Sequence, residues 1–512
     1  MHSEERVAVG VAALYLANIT TLVLNTLFLI LLTNWVSVQE VGLVSLLNVA
    51  VVSVATVAVL ALPVSGSGLS ATPPAVTRFL AEFIGSGKGS ARRVYVLSAL
   101  ICGTVSVGVA AVMSYAPVAS AITGHLDVNA VLYAGLDAVV YSFAQLGAYS
   151  MLGAGKATAA GKMIIASSVL RYAAAAFLLY WGAGPSGVFI GFISGDLILA
   201  ALGNVTVYRT VKDLHPAGFD FRPVTRYMAS IFLAAVVGLA VSQTDKLLAF
   251  FQQGLFNLAF YNVATVGAAV ASFAPSAATN VLVPALSSYG DDIEKKGSMI
   301  RKYTRYISLT AMPMGLGLAA LSPFLLQVFG EEYTAAAPVL SIISISIALT
   351  SIAAVYTSSL LVDDKAHHFT ISSALALVAL FVVAFLTVPT LGISGVALGR
   401  AAMLFLMLGA VVYFVRRNGM FVLDAEAYSK SLGASVLMSA LVYGVLTLAK
   451  YVGFGSRADS VVGSLVMIPV GLVVYLAVMK LIRGFNQTDV DFIDAMIPSR
   501  LHFISRLARR LL

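Results

Sequence analysis

Six ionisable residues stand deep inside stretches that are otherwise apolar: Asp137, Arg171, Asp196, the adjacent pair Asp245 and Lys246, and Arg400. Such a residue is costly in hydrocarbon unless it faces a cavity or a partner, so each is a functional candidate. Three are cations, and cations at one depth suit a phosphate-bearing substrate, which arginine grips at two points and lysine as a point charge. The three acids can take up protons or Na⁺ and so drive a transport cycle. Two other readings stay open. Three acids and three bases can neutralise one another and hold a bundle together, and Asp245 can serve as the permanent counter-ion of Lys246.

The elements that position these residues follow from composition. The chain has 512 residues, 60% hydrophobic and 11% charged, with a mean hydropathy of +0.95; a soluble domain is about 45–50% apolar and about 25% charged. This excludes a soluble enzyme and predicts an all-α integral membrane protein. Apolar runs give fourteen candidate spans, at about 7–34, 41–64, 93–115, 128–153, 158–183, 185–211, 226–252, 255–283, 303–329, 335–362, 368–390, 391–415, 428–452 and 459–483. Their lengths match the roughly 20 residues of a spanning helix and exceed the roughly 9–11 of a barrel strand. Lys/Arg-rich joints such as Arg92-Arg93 and Arg416-Arg417 alternate with acid-bearing ones such as Glu331-Glu332. By the positive-inside rule both termini are expected in the cytoplasm of a multi-pass cell-membrane protein. At 1.5 Å per residue, Asp137, Asp196, Lys246 and Arg400 lie roughly 10–17 Å below the outer joints and Arg171 roughly 20 Å above the inner one, which predicts a shared polar cavity.

A faint internal repeat organises the spans. Gly155-Lys156, a span, then Pro185-Ser186-Gly187-Val188 with Gly191 is echoed by Asp364-Lys365, a span, then Ile393-Ser394-Gly395-Val396 with Gly399. The two copies keep nearly the same spacing, so residues 1–211 and 226–415 are expected to be two parallel six-helix bundles, a transporter architecture with the site between halves. Two additional spans occupy 428–483. The tail, 488–512, carries Pro498 followed by Leu501, Ile504, Leu507 and Leu511 interleaved with Arg500, Arg506, Arg509 and Arg510. It reads either as a basic amphipathic helix on the inner surface or as a solvated basic tail.

Several apparent motifs carry no chemistry. Cys102 is the single cysteine and lies in an apolar run, so neither a disulfide framework nor a thiolate metal site is expected. Of the histidines, only His367-His368 are neighbours, with no third ligand nearby, so no metal is expected. Gly85-Ser86-Gly87-Lys88-Gly89-Ser90 lacks the first glycine of a P-loop and the Ser/Thr directly after its lysine. Sequons at Asn18 and Asn204 fall in spans and the one at Asn486 on the cytoplasmic side, so none is expected to be glycosylated. The net charge of +8 reflects membrane topology, and no nucleic acid is expected as a partner.

Gln243-Thr244-Asp245-Lys246-Leu247-Leu248 with Ala259-Phe260-Tyr261-Asn262-Val263-Ala264 resembles the "D-K-hydrophobic … Y-x-x-A" signature of polysaccharide-unit and oligosaccharidyl-lipid flippases. These belong to the multidrug/oligosaccharidyl-lipid/polysaccharide (MOP) transporter superfamily. Leu321-Ser322-Pro323-Phe324, Val328 to Tyr333 and Ala337-Pro338-Val339-Leu340 are similar to its passage around spans nine and ten, and Leu391 to Ala397 to its entry into span twelve. Val41-Gly42-Leu43 and Arg78-Phe79-Leu80-Ala81-Glu82 resemble its first-loop glycine and its basic residue after span two; the Ser65–Pro74 stretch departs from the usual spacing. The likeness covers most of residues 1–415. It implies a V-shaped pair of bundles that opens to each side in turn and moves a polyprenyl (pyro)phosphate-linked glycan, with Asp245 and Lys246 the matched charged pair and Arg78 an inner-mouth cation. The implied partners are the lipid-linked oligosaccharide, membrane lipids and other glycan-assembly membrane proteins.

The expected function is therefore a lipid-linked oligosaccharide flippase, with Arg171, Lys246, Arg400 and Arg78 on the phosphate or glycan and Asp137, Asp196 and Asp245 in ion coupling or charge pairing. No cofactor is expected beyond H⁺ or Na⁺ as coupling ion. The alternative is a cation-coupled multidrug or small-molecule exporter of the same superfamily, against which the three buried cations count. A membrane glycosyltransferase or polymerase needs an outer loop bearing catalytic carboxylates or arginines, and the outer joints are short.

Overall fold

The computed structural model describes residues 3–59, 75–85, 90–115, 119–120, 126–212, 214, 222–290, 292–362, 366–452, 456–486 and 489. The Ser65–Pro74 stretch, Lys88, the Asp364-Lys365 joint, the tail over 490–512 and His2, His125, His215 and His502 lie outside these residues.

Helices make up the described chain. They are α1 (Ser3–Trp35), α2 (Val38–Val59), α3 (Ala75–Gly85), α4 (Ser90–Met113), α5 (Val128–Gly153), α6 (Ala157–Tyr180) and α7 (Gly184–Val211). There follow α8 (Arg222–Ala268), α9 (Phe273–Ser288), α10 (Ile293–Leu325), α11 (Ala337–Thr350), α12 (Ala353–Val362), α13 (Ala366–Leu391), α14 (Ile393–Arg417), α15 (Ala425–Tyr451) and α16 (Arg457–Leu481). Among the described residues thirteen helices are long and apolar enough to cross a membrane. One of these, Ala235–Ser272, is interrupted at Gly254 (φ 74°, ψ −177°), a conformation open to glycine, which separates the seventh expected span from the eighth. Counting its two limbs separately gives the fourteen of the sequence reading, 13 + 1.

Local chemistry sets the helix ends. Asp127 caps α5 by accepting from the Ala130 N–H at 3.1 Å, and it also takes the Ser186 hydroxyl at 2.8 Å, tying the start of α5 to that of α7. Asp292 caps α10, Asp424 caps α15, and Ser456 with Asp459 forms a capping box at α16. Trp35, Tyr180 and Trp181, at the ends of α1 and α6 away from the basic joints, are exposed; the Trp35 ring meets that of Tyr180, and the Trp181 ring meets that of Phe177. They form part of the aromatic belt of a bilayer interface.

By packing, the chain divides into Met1–Asn262 and Val263–Leu512. Lipid offers no hydrophobic drive for one helix to leave it for another, so close backbone approach at small residues carries the packing. In the first unit, Gly191 and Gly195 of α7 lie directly on α6: an added Cβ would come 2.3 Å from the Ala175 nitrogen and 2.5 Å from the Ser167 carbonyl oxygen. In the second, Gly395 and Gly399 of α14 do the same against α13, with 2.6 Å to the Val388 nitrogen and 2.8 Å to the Leu380 carbonyl oxygen. Gly191 and Gly399, which hold the same place in the sequence repeat, thus mark the same helix-pair contact within their respective units.

Candidate functional site

Arg171 of α6 is the centre of a buried charge cluster. Its Nη1 donates to Asp196 Oδ2 of α7, and its Nη2 stands 3.9 Å from Asp137 Oδ2 of α5, beyond hydrogen-bond length. The guanidinium lies 3.9 Å above the Phe192 ring and 5.2 Å from that of Tyr141. Asp137 is fully buried, Asp196 3% exposed and Arg171 8% exposed. Gly195 makes the cluster possible, because a Cβ there would stand 2.5 Å from the Arg171 backbone nitrogen and push the two helices apart. The Asp137 and Asp196 carboxyls are electrostatic neighbours, and two carboxylates facing one guanidinium leave an excess of one negative charge in a dry interior. One proton taken up by either acid would remove that excess.

Asp245 and Lys246 lie on the first limb of α8. Asp245 is fully buried, and its Oδ2 accepts from the Tyr261 hydroxyl at 2.7 Å; Tyr261, also fully buried, belongs to the second limb. The hydrogen bond therefore spans the Gly254 break. That break is seated on Gly42 of α2, where an added Cβ would lie 2.0 Å from the Leu255 carbonyl oxygen. Lys246 is half-buried. Arg78, on the short amphipathic α3, is exposed at its tip and stacks at 4.5 Å on the Tyr227 ring of α8, with Phe79 packed edge-on against the same ring. Arg400 of α14 is half-buried in the second unit.

Of the predicted site residues, the structure brings Arg171, Asp137 and Asp196 together within one unit, whereas Lys246 and Arg78 belong to the first unit and Arg400 to the second. The expectation of Arg171 facing a polar cavity meets a guanidinium enclosed by two acids and two aromatic rings. Among the described residues no group of three His, Cys, Asp or Glu side chains is arranged to hold a metal ion. His368 stacks on Phe414 at 4.2 Å, and Cys102 is buried.

Residues 87–338 match the sequence profile of the family described as "Polysaccharide biosynthesis protein". The lipid II flippase MurJ in an inward closed conformation superposes with a TM-score of 0.60 at 13% identity, over 92% of this chain and 98% of that one. An inward-facing multidrug resistance MATE family transporter of the MOP superfamily gives 0.61 at 16% identity, over 78% and 94%. A MOP superfamily transporter from Pyrococcus furiosus, described as having a binding pocket of reversed polarity, gives 0.58 at 14% identity, over 80% and 95%. Among curated proteins none matches the sequence. The chain has the fold of these transporters.

Three residues of the charge cluster carry no motif in the sequence: Tyr141, Ser167 and Phe192. Each precedes or follows a charged residue by four positions, as Asp137/Tyr141, Ser167/Arg171 and Phe192/Asp196. Residues four apart share a helix face, so three faces presenting a charge beside a polar or aromatic group were the available signal. Tyr261 was quoted for its motif, but its bond to Asp245 joins two limbs that the sequence shows only as separate spans. Arg305 of α10 stands in a basic stretch with Arg301 and Lys302. It is 8% exposed and binds both Asp489 oxygens at 2.7 Å, Asp424 at 3.0 Å and the Gly484 carbonyl at 2.8 Å.

Proposed function

We propose that this multi-pass membrane protein is a MOP-superfamily alternating-access flippase that moves polyprenyl phosphate- or pyrophosphate-linked oligosaccharides from the cytoplasmic to the outer leaflet for cell-surface polysaccharide or glycoprotein synthesis. The observation that carries the reading is one of extent: the lipid II flippase accounts for 92% of this chain against 78% and 80% for the two other transporters. The polysaccharide-biosynthesis profile over residues 87–338 supports the same class. Both termini face the cytoplasm of the cell membrane, where the basic joints lie. The protein forms no covalent bond with its cargo and is not an enzyme; other glycan-assembly membrane proteins deliver and consume the glycolipid.

In this reading Lys246 and Arg400 contact the phosphate or sugar, and Arg78, held on Tyr227, meets the anionic head at the inner mouth. Arg171 acts with Asp137 and Asp196 as the coupling element, its two acids exchanging one proton or Na⁺ with each cycle. Asp245 is held by Tyr261 and keeps the two limbs of α8 in register.

The test is transbilayer movement of a radiolabelled polyprenyl-pyrophosphate oligosaccharide in proteoliposomes, with and without H⁺ or Na⁺ gradients. Gradient-stimulated movement that falls at least tenfold in Lys246→Ala and Arg400→Ala, with both variants folded, is the expected result. Absence of glycolipid movement alongside gradient-driven efflux of an organic cation would reassign the chain to the multidrug exporters of the superfamily.

A further inference from the structure

Helix α10 contains two internal prolines, Pro313 and Pro323. Proline has no N–H, so each removes the hydrogen bond to the carbonyl four residues earlier, that of Leu309 and that of Ala319. In a membrane such a carbonyl must find another donor. The Ala319 carbonyl finds two close at hand, the hydroxyls of Ser322 in the next turn at 2.8 Å and of Ser341 on α11 at 3.2 Å. The Leu309 carbonyl is served from the far end of the chain: the Tyr475 hydroxyl of α16 donates to it at 2.9 Å. Tyr475 is 3% exposed. Ser431 of α15, fully buried, lies 2.9 Å from that phenol and reaches the adjoining Ser308 carbonyl at 2.8 Å.

The same helices hold α10 at both ends. Near its start, Arg305 binds Asp424 at the cap of α15 and the Gly484 carbonyl and Asp489 beyond α16. Beyond its end, Arg457 of α16 donates to the Gln327 and Val328 carbonyls at 2.8 and 3.1 Å. Between these levels Met438, Val442, Leu446 and Met467 share one buried apolar cluster with Leu321 and Phe324.

We propose that α15 and α16 are a brace for α10, in which Tyr475 supplies the hydrogen bond that Pro313 takes away. The interruption at Pro313 is then a locked bend rather than a hinge, and α10, α15 and α16 travel as one body. This holds whatever the cargo is. Deuterium exchange of the backbone amides around Pro313, measured by mass spectrometry on the full-length protein in lipid nanodiscs, reads the brace directly, with the α5 segment 137–153 as internal control. Tyr475→Phe is expected to speed exchange over 309–317 about tenfold with α5 unchanged. In a Pro313→Ala background the helix regains its own donor, and Tyr475→Phe is expected to change exchange there by less than threefold. Pro313→Gly restores the same N–H should the alanine variant misfold. Exchange in Tyr475→Phe within twofold of the parent, or an acceleration equally large with and without Pro313, would overturn the proposal.

Discussion

At the scale of single residues, Arg171 carries the heaviest electrostatic load in the first unit. A buried ion pair gains little over an apolar replacement, but a buried charge stripped of its partner costs about 3–5 kcal/mol. Arg171→Ala leaves Asp137 and Asp196 facing each other in an interior where both are essentially inaccessible to water. Its thermal midpoint in detergent is therefore expected to fall well below that of the parent, by the equivalent of about 3 kcal/mol or more. The triple variant Asp137→Asn, Arg171→Leu, Asp196→Asn removes the charges together and should recover most of that loss. If Arg171→Ala melts like the parent, the guanidinium is not the counter-charge the geometry makes it. The cations Lys246 and Arg400 are only half-buried, and their alanine variants should keep the parental midpoint while losing transport.

At the scale of elements, Asp424 shows how a cap and a clamp share one carboxylate. It accepts from the Ala427 N–H at 3.0 Å at the start of α15 and from Arg305 of α10 at 3.0 Å. Burial pushes its carboxyl upward, but the Ala427 N–H and the Arg305 guanidinium outweigh that and hold it below the usual carboxylate range of about 3.9. A depressed folded value means stability that is full above the unfolded value and lost as pH falls through the folded one. The parent should therefore lose thermal stability below about pH 4 more steeply than Asp424→Asn, which keeps a capping oxygen but does not titrate. Parallel melting curves for the two proteins from pH 6 to pH 3 would remove Asp424 from the account. Elements of this kind were partly legible in the sequence. Span lengths, the even count and the repeat glycines followed from hydropathy and spacing, because those signals are local. The long α8 with its break at Gly254 and the bond from Tyr475 to the Leu309 carbonyl were not, because one depends on a single backbone conformation and the other joins residues 166 positions apart. Depth along a helix could be read for Arg171, but not the direction in which its side chain turns, and that direction decides between a cavity and an ion-pair cluster.

At the scale of the whole molecule, the proposed flippase poses the question of how an ion gradient would perform work on a lipid-borne cargo. In the proposed coupling, the Asp137–Asp196 pair takes up one proton to balance its charge against Arg171, and a transporter can use that proton only if its two conformations expose the pair to opposite sides with different affinity. One proton crossing a gradient of one pH unit releases about 1.4 kcal/mol, a tenfold bias at most. With this single proton as the coupling charge, accumulation of glycolipid in one leaflet should therefore rise by no more than about tenfold per pH unit and stop there. Asp137→Asn fixes the site in its proton-loaded form: the amide offers a donor toward Asp196, leaves one carboxylate for Arg171 and removes the titration. Downhill glycolipid exchange should then persist while its acceleration by an imposed pH gradient disappears. Proteoliposome flux with the gradient inward, outward and absent distinguishes the outcomes. A variant that still responds to the gradient as the parent does would move the coupling away from this pair and leave the cluster as a purely structural charge balance.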